Sequence, residues 1–176
     1  MKRIALDIGH TPGSGSQGHG LDENEVSAKI VHLVADMLRE VDGIEVEVFD
    51  FPGLDNRGDL KATIAAVNSG QFDAVVSFHC DHFDSDKPSG AHVCYKTLKG
   101  YSLGIEIAER LCVFMPGRAE KCVKRNDLAI LNQTRPPAVL VEMGFLSHPG
   151  DALRLRDSRV VLARAISGGI RTWCQV

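Results

Sequence analysis

The chain is poor in the features that mark several specialised classes of protein. Its 176 residues include one Trp and two Tyr, and its formal net charge is −3. A general nucleic-acid binder is expected to carry a basic face, so this charge balance argues against nucleic acid as a partner. No apolar run approaches the roughly 20 residues of a transmembrane helix, and we therefore expect no membrane insertion.

Paired cysteine motifs and a secretory leader are also missing. The number of Cys is five, which is odd, and no CxxC pair occurs. This usage indicates reduced, mostly buried thiols in a protein made in a reducing compartment. The start MKRIALDIGH has only a short apolar run, which Asp7 breaks, and this is too short for a signal peptide. We expect synthesis in the cytoplasm without a signal peptide.

Candidate strands and helices alternate along the whole chain. Strands are predicted over 3–8, 44–51, 72–80, 90–96, 119–125 and 138–143, and helices over 23–40, 57–70, 101–114 and about 149–173. Nearly continuous apolar strands such as AVVSF are typical of a sheet that is covered on both faces. The pattern predicts one α/β domain over 1–176. Its sheet should be mostly parallel or mixed, twisted, of about six strands, with helices on both faces.

Three side chains that could take part in catalysis or metal binding lie at or just beyond predicted strand ends, and a fourth opens a helix. His10 follows the first strand, His79 closes AVVSFH, and Glu142 closes AVLV. Glu23 opens the first long helix. Ligands of such sheets collect at the carboxyl ends of the strands. Two His and one carboxylate are a common donor set for catalytic Zn²⁺, with a fourth position open to water.

Each of these residues also has a simpler interpretation when it is taken alone. A Glu at a strand end is most often a solvated tip, and an acid in the first turn of a helix is favoured by the helix dipole. A single His at a strand end is most often only hydrogen-bonded. The convergence of four such groups on one edge of a sheet favours the functional interpretation.

The strand period and the glycine-rich loop narrow the choice further. In a regular strand Ser77, His79 and Asp81 share one face, and Cys80 points to the other. His19 and His82 lie in a loop and past a strand end, and we do not expect either to be a ligand. The glycines of residues 13–20 match GxGxxG. The loop is too long for a dinucleotide fingerprint, however, and it lacks a Walker Lys.

Four segments resemble the motifs of one enzyme family. They are DIGH (7–10), GLDENE (20–25), SFHCD (77–81) and RPPAVLVEMGFLSHPGD (135–151), and LAILNQT (128–134) fits the same pattern. The chain resembles N-acetylmuramoyl-L-alanine amidases of the amidase-3 type, which are zinc-dependent hydrolases of peptidoglycan. The likeness runs from the first strand to about Leu155, and its last block is the most specific.

The resemblance implies a site and a reaction. Zinc would be held by His10, Glu23 and His79, and Glu142 would be the catalytic carboxylate. Glu23 is chosen over Glu25 because the family's Glu stands three residues after the Gly of the GL pair. The implied substrate is peptidoglycan, cut at the amide between the lactyl group of N-acetylmuramic acid and L-alanine.

Three positions depart from the family pattern. Thr11 replaces a common Gly, Asp81 a common Asn and His148 the usual Asn. Asp81 adds a carboxylate beside the expected metal, which makes it a candidate for substrate contact. Two alternatives stay open: a zinc peptidase or deacetylase acting on another amide, and a module that binds muropeptides without cutting them.

The setting suggested by the resemblance is that of an endolysin or autolysin. Such an enzyme acts on the cell wall after release or lysis. The stretch 101–125 is compact, with no charged helical insertion of the kind that plugs the site in some family members. We therefore expect an open site that needs no activator.

Overall fold

A six-stranded sheet runs through the centre of the computed structural model, which describes residues 1–175. The strands of the described residues are β1 (Lys2–Ile8), β2 (Gln17–Gly18), β3 (Leu21–Asp22), β4 (Ile44–Phe49), β5 (Ala74–Asp81), β6 (His92–Tyr95), β7 (Cys122–Lys124) and β8 (Ala138–Phe145). Of these, β2 and β3 lie outside the six-stranded sheet. The helices are α1 (Glu23–Arg39), α2 (Asn56–Ser69), α3 (Leu98–Phe114), α4 (Ala129–Gln133), α5 (Pro149–Asp157) and α6 (Arg159–Cys174).

The strand order is β4-β1-β5-β8-β6-β7. The first four of these strands are mutually parallel, whereas β6 runs antiparallel to β8 and parallel to β7. The carboxyl ends of β1, β5 and β8 therefore meet at one edge. The predicted mixed sheet of about six strands in an α/β domain is confirmed.

Helices cover both faces of the sheet, as the apolar strands predicted. On one face α1, α3 and α6 enclose the larger core, which includes Val76 and Phe78 of β5. On the other face α2 and α4 enclose a smaller core with Val75 and Leu140. Because α2 and α4 are shorter than the helices on the other face, the second face leaves room near the carboxyl ends of the strands.

The structure corrects one predicted element and adds two. The single helix expected over about 149–173 is two helices, because the chain leaves the helical conformation at Ser158. A small antiparallel hairpin, β2–β3, forms within the glycine-rich loop, and α4 forms in a segment for which no helix was predicted. These pieces are too short to show a periodic pattern in the sequence.

All five cysteines lie within the described residues. Cys80, Cys94 and Cys174 are buried, Cys112 and Cys122 are partly buried, and all five are free thiols. Within residues 1–175, no helix combines the length and the apolar character that crossing a bilayer requires.

Candidate active site

The chain bends sharply where β1 ends, and this bend presents His10. The Gly9 N–H donates to the Phe78 carbonyl at 3.0 Å, and His10 takes a left-handed conformation with φ 62°. The Asn24 side chain donates to the His10 carbonyl at 2.7 Å. A Cβ on residue 9 would lie 2.5 Å from His79 Cε1, so only glycine permits this approach. Such unusual backbone at a non-glycine residue is typical of functional sites.

His10, Glu23 and His79 converge at the carboxyl edge of the sheet. Glu23 Oε1 lies 3.3 Å from His10 Nε2 and 3.0 Å from His79 Nδ1. One donor atom from each of the three residues lies within 4.8 Å of the other two. The sheet order makes this possible, because His10 follows β1, His79 is on the neighbouring β5, and α1 begins with Glu23.

Glu23 is the buried centre of this cluster. It is 2% exposed, and it accepts hydrogen bonds from the backbone N–H groups of Cys80 at Oε1 and Ser16 at Oε2. Burial alone would raise the pKa of Glu23, but hydrogen bonds with His10 and His79 outweigh it and lower the pKa. The hydrogen bond to Glu23 in turn raises the pKa of His10. Glu23 is therefore an ionised acceptor.

Glu25, the alternative acid of the same motif, lies elsewhere. Its side chain is 67% exposed and pairs with Lys29 at 3.2 Å on the surface of α1. Glu25 lies in the first turn of α1, where the helix dipole favours an acid, whereas the Glu23 side chain turns inward. The geometry therefore agrees with the choice of Glu23.

The donor chemistry of the cluster fits a zinc ion. Two imidazole nitrogens and one carboxylate are the protein ligands of a common catalytic zinc class. Across residues 1–175, this is the one group of three or more His, Cys, Asp or Glu side chains whose donor atoms converge in this way. The exposed His19 and His82 lie outside it, as expected; His19 Nε2 lies 3.3 Å from the Ser147 carbonyl oxygen.

Glu142 lies directly beside the cluster. It is the register partner of His79 across the parallel β5–β8 pair, whose strands are about 4.8 Å apart. Its Oε2 is inaccessible to solvent and lacks a hydrogen-bond partner among the described residues. Burial, reinforced by the negative charges of Asp81 and Glu23, raises the pKa of Glu142 well above its usual range. A raised pKa suits a carboxyl group that accepts and returns a proton near neutral pH.

A β-bulge follows Glu142 and shapes the mouth of the site. His79 pairs with Glu142 but Asp81 pairs with Phe145, so β8 has one residue more than β5 in this interval. Gly144 lies in the bulge at φ 149°, and a Cβ there would lie 2.5 Å from Met115 Cε. Bulges often re-aim side chains beside active sites. The extra residue lies in β8, and β5 keeps the predicted alternation, because Phe78 and Cys80 both belong to the larger core.

Asp81 and His92 form a polar pair next to Glu142. Asp81 Oδ2 lies 3.5 Å from His92 Nδ1, and His92 is the cross-strand partner of Glu142 in the antiparallel β6–β8 pair. Burial, together with the positive charges of Arg118 and Arg125, lowers the pKa of His92 to about 4. His92 is therefore neutral at pH 7. Sequence reasoning missed it, because no local signal places β6 beside β8.

The glycine-rich loop wraps the cluster and does not open directly into a helix. Asn56 Oδ1 accepts from the Thr11 N–H at 2.9 Å and the Ser14 hydroxyl at 2.7 Å. The Asn56 amide nitrogen lies 3.3 Å from His10 Nδ1. Sequence reasoning also missed Asn24 and Asn56, although the position of Asn24 directly after Glu23 was an available signal.

The departure at His148 has a structural role. His148 is the N-cap of α5, where its Nδ1 accepts from the Asp151 N–H at 3.1 Å. Asp151 is fully buried and accepts from the N–H groups of Gly90 at 2.6 Å and Phe145 at 3.1 Å. The segment after Glu142 is thereby tied to α5 and to the chain entering β6.

A cavity of about 210 Å³ adjoins the cluster on the face covered by α2 and α4. His10 and His79 line it, and apolar side chains such as Leu128 and Ile130 form much of the wall. The buried carboxyl group of Asp59 also lines it. The cavity provides space for small apolar groups next to the candidate metal position.

Asp59 predicts a pH-dependent stability. Burial, with added repulsion from Asp7 and Asp50, raises its pKa to about 6, although the Phe51 N–H donates to its Oδ1 at 3.0 Å. Because the pKa of Asp59 is higher in the folded state than in the unfolded state, its contribution to stability is fully present below the unfolded-state pKa of 3.8. That contribution is lost as the pH rises through the folded-state pKa of about 6. Asp59→Asn keeps the acceptor oxygen. We expect it to raise the free energy of unfolding by about 1–2 kcal/mol at pH 7.5 and by no more than about 0.5 kcal/mol at pH 4.

Urea unfolding of wild type and variant at both pH values measures this effect. Asp42→Asn, at an exposed position, is the matched control and should change little at either pH. A stability difference for Asp59→Asn that is the same at pH 4 and pH 7.5 would contradict the prediction.

The fold and the cluster together define a class. This is an α/β protein in which two imidazoles and two inward-facing carboxylates meet at the carboxyl edge of a mixed sheet, and His10, Glu23 and His79 could hold a metal ion. A family model described as N-acetylmuramoyl-L-alanine amidase matches residues 4–172, and the chain belongs to this family. The resemblance noted in the sequence is confirmed.

Known relatives agree with this membership. The chain is 27% identical over 163 residues to the N-acetylmuramoyl-L-alanine amidase LytC of Bacillus subtilis, a match that covers 88% of this chain and 32% of LytC. It is 26% identical over 168 residues to the germination-specific N-acetylmuramoyl-L-alanine amidase of the same organism, covering 88% of this chain and 71% of the relative. The chain thus spans about a third of the length of LytC.

A solved structure shows the same fold. The catalytic domain of CwlV, an N-acetylmuramoyl-L-alanine amidase from Bacillus (Paenibacillus) polymyxa var. colistinus, superposes with a TM-score of 0.89 at 21% identity. The match covers 100% of this chain and 99% of that domain.

Proposed function

We propose that the chain is a zinc-dependent amidase of peptidoglycan. It hydrolyses the amide bond between the lactyl group of N-acetylmuramic acid and L-alanine. The observation that carries this proposal is the convergence of His10, Glu23 and His79 beside Glu142 in a chain of the amidase family. His10, Glu23 and His79 are the proposed zinc ligands.

Zinc, when bound, polarises the carbonyl of the scissile amide and lowers the pKa of water from about 15.7 to about 7. Glu142 accepts the proton of the attacking water and returns it to the leaving nitrogen of L-alanine. Its high pKa and its place next to His79 support both roles. The hydrogen bonds from Cys80 and Ser16 keep the Glu23 carboxylate aimed at the two imidazoles.

The cavity beside the cluster supports a substrate with small apolar groups at the cleaved bond. The lactyl group and L-alanine each carry a methyl group. The side chains of Leu128 and Ile130 offer an apolar wall next to His79. We propose that one of these methyl groups enters the cavity, which would position the amide carbonyl over the cluster.

Digestion of purified peptidoglycan tests the proposal. The protein is loaded with zinc and incubated with sacculi, with and without a chelator, and the released fragments are identified by mass. We expect chelator-sensitive release of intact stem peptides with a free L-alanine amino group, leaving glycan strands without stems. Cleavage at another amide would indicate a zinc peptidase or deacetylase, and binding without cleavage would indicate a muropeptide-binding module.

A further inference from the structure

Arg118 is an exposed arginine at the mouth of the site. Its guanidinium carbon lies 5.6 Å from the centre of the Phe145 ring, a distance typical of a cation–π contact. Phe145 is 3% exposed and ends β8, three residues after Glu142. The buried ring therefore gives the guanidinium a fixed platform at the end of the strand that carries the catalytic carboxylate.

No acidic side chain among residues 1–175 neutralises Arg118 in an ion pair. Arg125, the other cation on this side of the site, differs in this respect. Its Nε and Nη2 donate to the two carboxylate oxygens of Asp127 at 2.8 and 2.6 Å. The donors of Arg118 are thus available to a ligand, whereas those of Arg125 are largely engaged.

The carboxylates of the site lie close to this guanidinium in the sheet. Asp81 is the register partner of Phe145, the residue whose ring Arg118 covers. Glu142 and Glu23 are also acidic, so an anionic part of a substrate would be repelled without Arg118.

We propose that Arg118 binds the carboxylate of the stem-peptide residue that follows L-alanine. The enzyme would then prefer stems with D-isoglutamate, which has this carboxylate free, over stems with D-isoglutamine, which has an amide. This inference rests on the proposed amidase function. It names Arg118 as a residue that determines specificity among muramyl peptides.

The distances agree with this assignment. Three residues of strand separate Glu142 from Phe145, which is at most about 10 Å. An extended peptide advances about 3.3–3.6 Å per residue, so the second stem residue lies within this span of the cleaved bond. Arginine suits the task because its planar fork binds carboxylates with two parallel hydrogen bonds.

The test compares two muramyl-peptide substrates that differ only in this group. The quantity measured is the ratio of kcat/KM for the acid stem to kcat/KM for the amide stem. We expect the wild-type ratio to be roughly five to ten, which is the effect of one partly exposed charge-assisted pair. The ratio should fall to about one in Arg118→Ala, stay intermediate in Arg118→Lys, and fall below one in Arg118→Glu.

Arg39→Ala is the matched control, because Arg39 lies at the far end of α1 from Glu23 and pairs with Asp36. It should keep the wild-type ratio. A wild-type ratio of one or less, or an equal ratio in wild type and Arg118→Ala, would overturn the inference while leaving the amidase activity established. Failure to cleave either substrate would overturn the proposed function itself.

Discussion

Replacing Glu142 by Gln is expected to reduce turnover on peptidoglycan by about 10²–10⁴-fold, the range for a general acid–base residue. Gln keeps the size of the side chain but can neither accept nor return the proton. The zinc content should stay at the wild-type level, because Glu142 lies beside the cluster of His10, Glu23 and His79 and is not one of its members. Fragment release measured by mass, together with metal analysis of the purified variant, checks both parts.

Glu25→Gln is the matched control for this variant. Glu25 is exposed and pairs only with Lys29, so the change removes a carboxylate of the same type outside the site. We expect turnover within about twofold of wild type, because changes at exposed positions seldom affect a protein strongly. Glu142→Ala should also keep zinc and lose nearly all turnover. Full activity in either Glu142 variant would mean that another group moves the proton.

Replacing His79 by Ala should remove both zinc and activity. The change deletes one of three converging donors and leaves His10 and Glu23 as an incomplete set. Loss of groups that only orient metal ligands typically weakens affinity by about 10–100-fold, and loss of a ligand should cost at least as much. Zinc affinity measured by competition with a chromogenic chelator gives the size of the effect. His10→Ala should behave in the same way.

His19→Ala is the control for the histidine variants. His19 is exposed, lies in the same glycine-rich region as His10, and is outside the cluster. Its removal should leave the zinc affinity unchanged. If His10→Ala and His79→Ala both retained the zinc content of wild type, the proposed ligand set would be wrong.

Much of the site was predictable because it follows strands that are easy to recognise. β1, β5 and β8 lie in the middle of the sheet and are buried on both faces, so most of their residues are apolar. His10, His79 and Glu142 follow or close these runs. Parallel strands place their carboxyl ends at one edge, and this rule brings the three residues together before any coordinates are known.

Other parts depend on contacts between distant segments. His92 joins the site because β6 runs antiparallel beside β8, and nothing in HVCY specifies that neighbour. Asn56 reaches Thr11 and Ser14 across more than 40 residues of sequence. The split of the last helix at Ser158 was also missed, because a single non-helical residue between two amphipathic segments leaves the apolar pattern nearly intact.

By itself, the sequence determined the α/β class, the central strands, the family, and the residues that the family pattern places at the strand ends. Apolar runs and side-chain periodicity carry that information, and both can be read from the linear sequence. Only the tertiary structure decided that Glu23 turns inward while Glu25 faces solvent, and that Glu142 Oε2 is left without a partner. It also decided that Arg118 rests on Phe145. These features arise from packing between segments far apart in sequence, and burial and charge act through distances that the linear order does not contain.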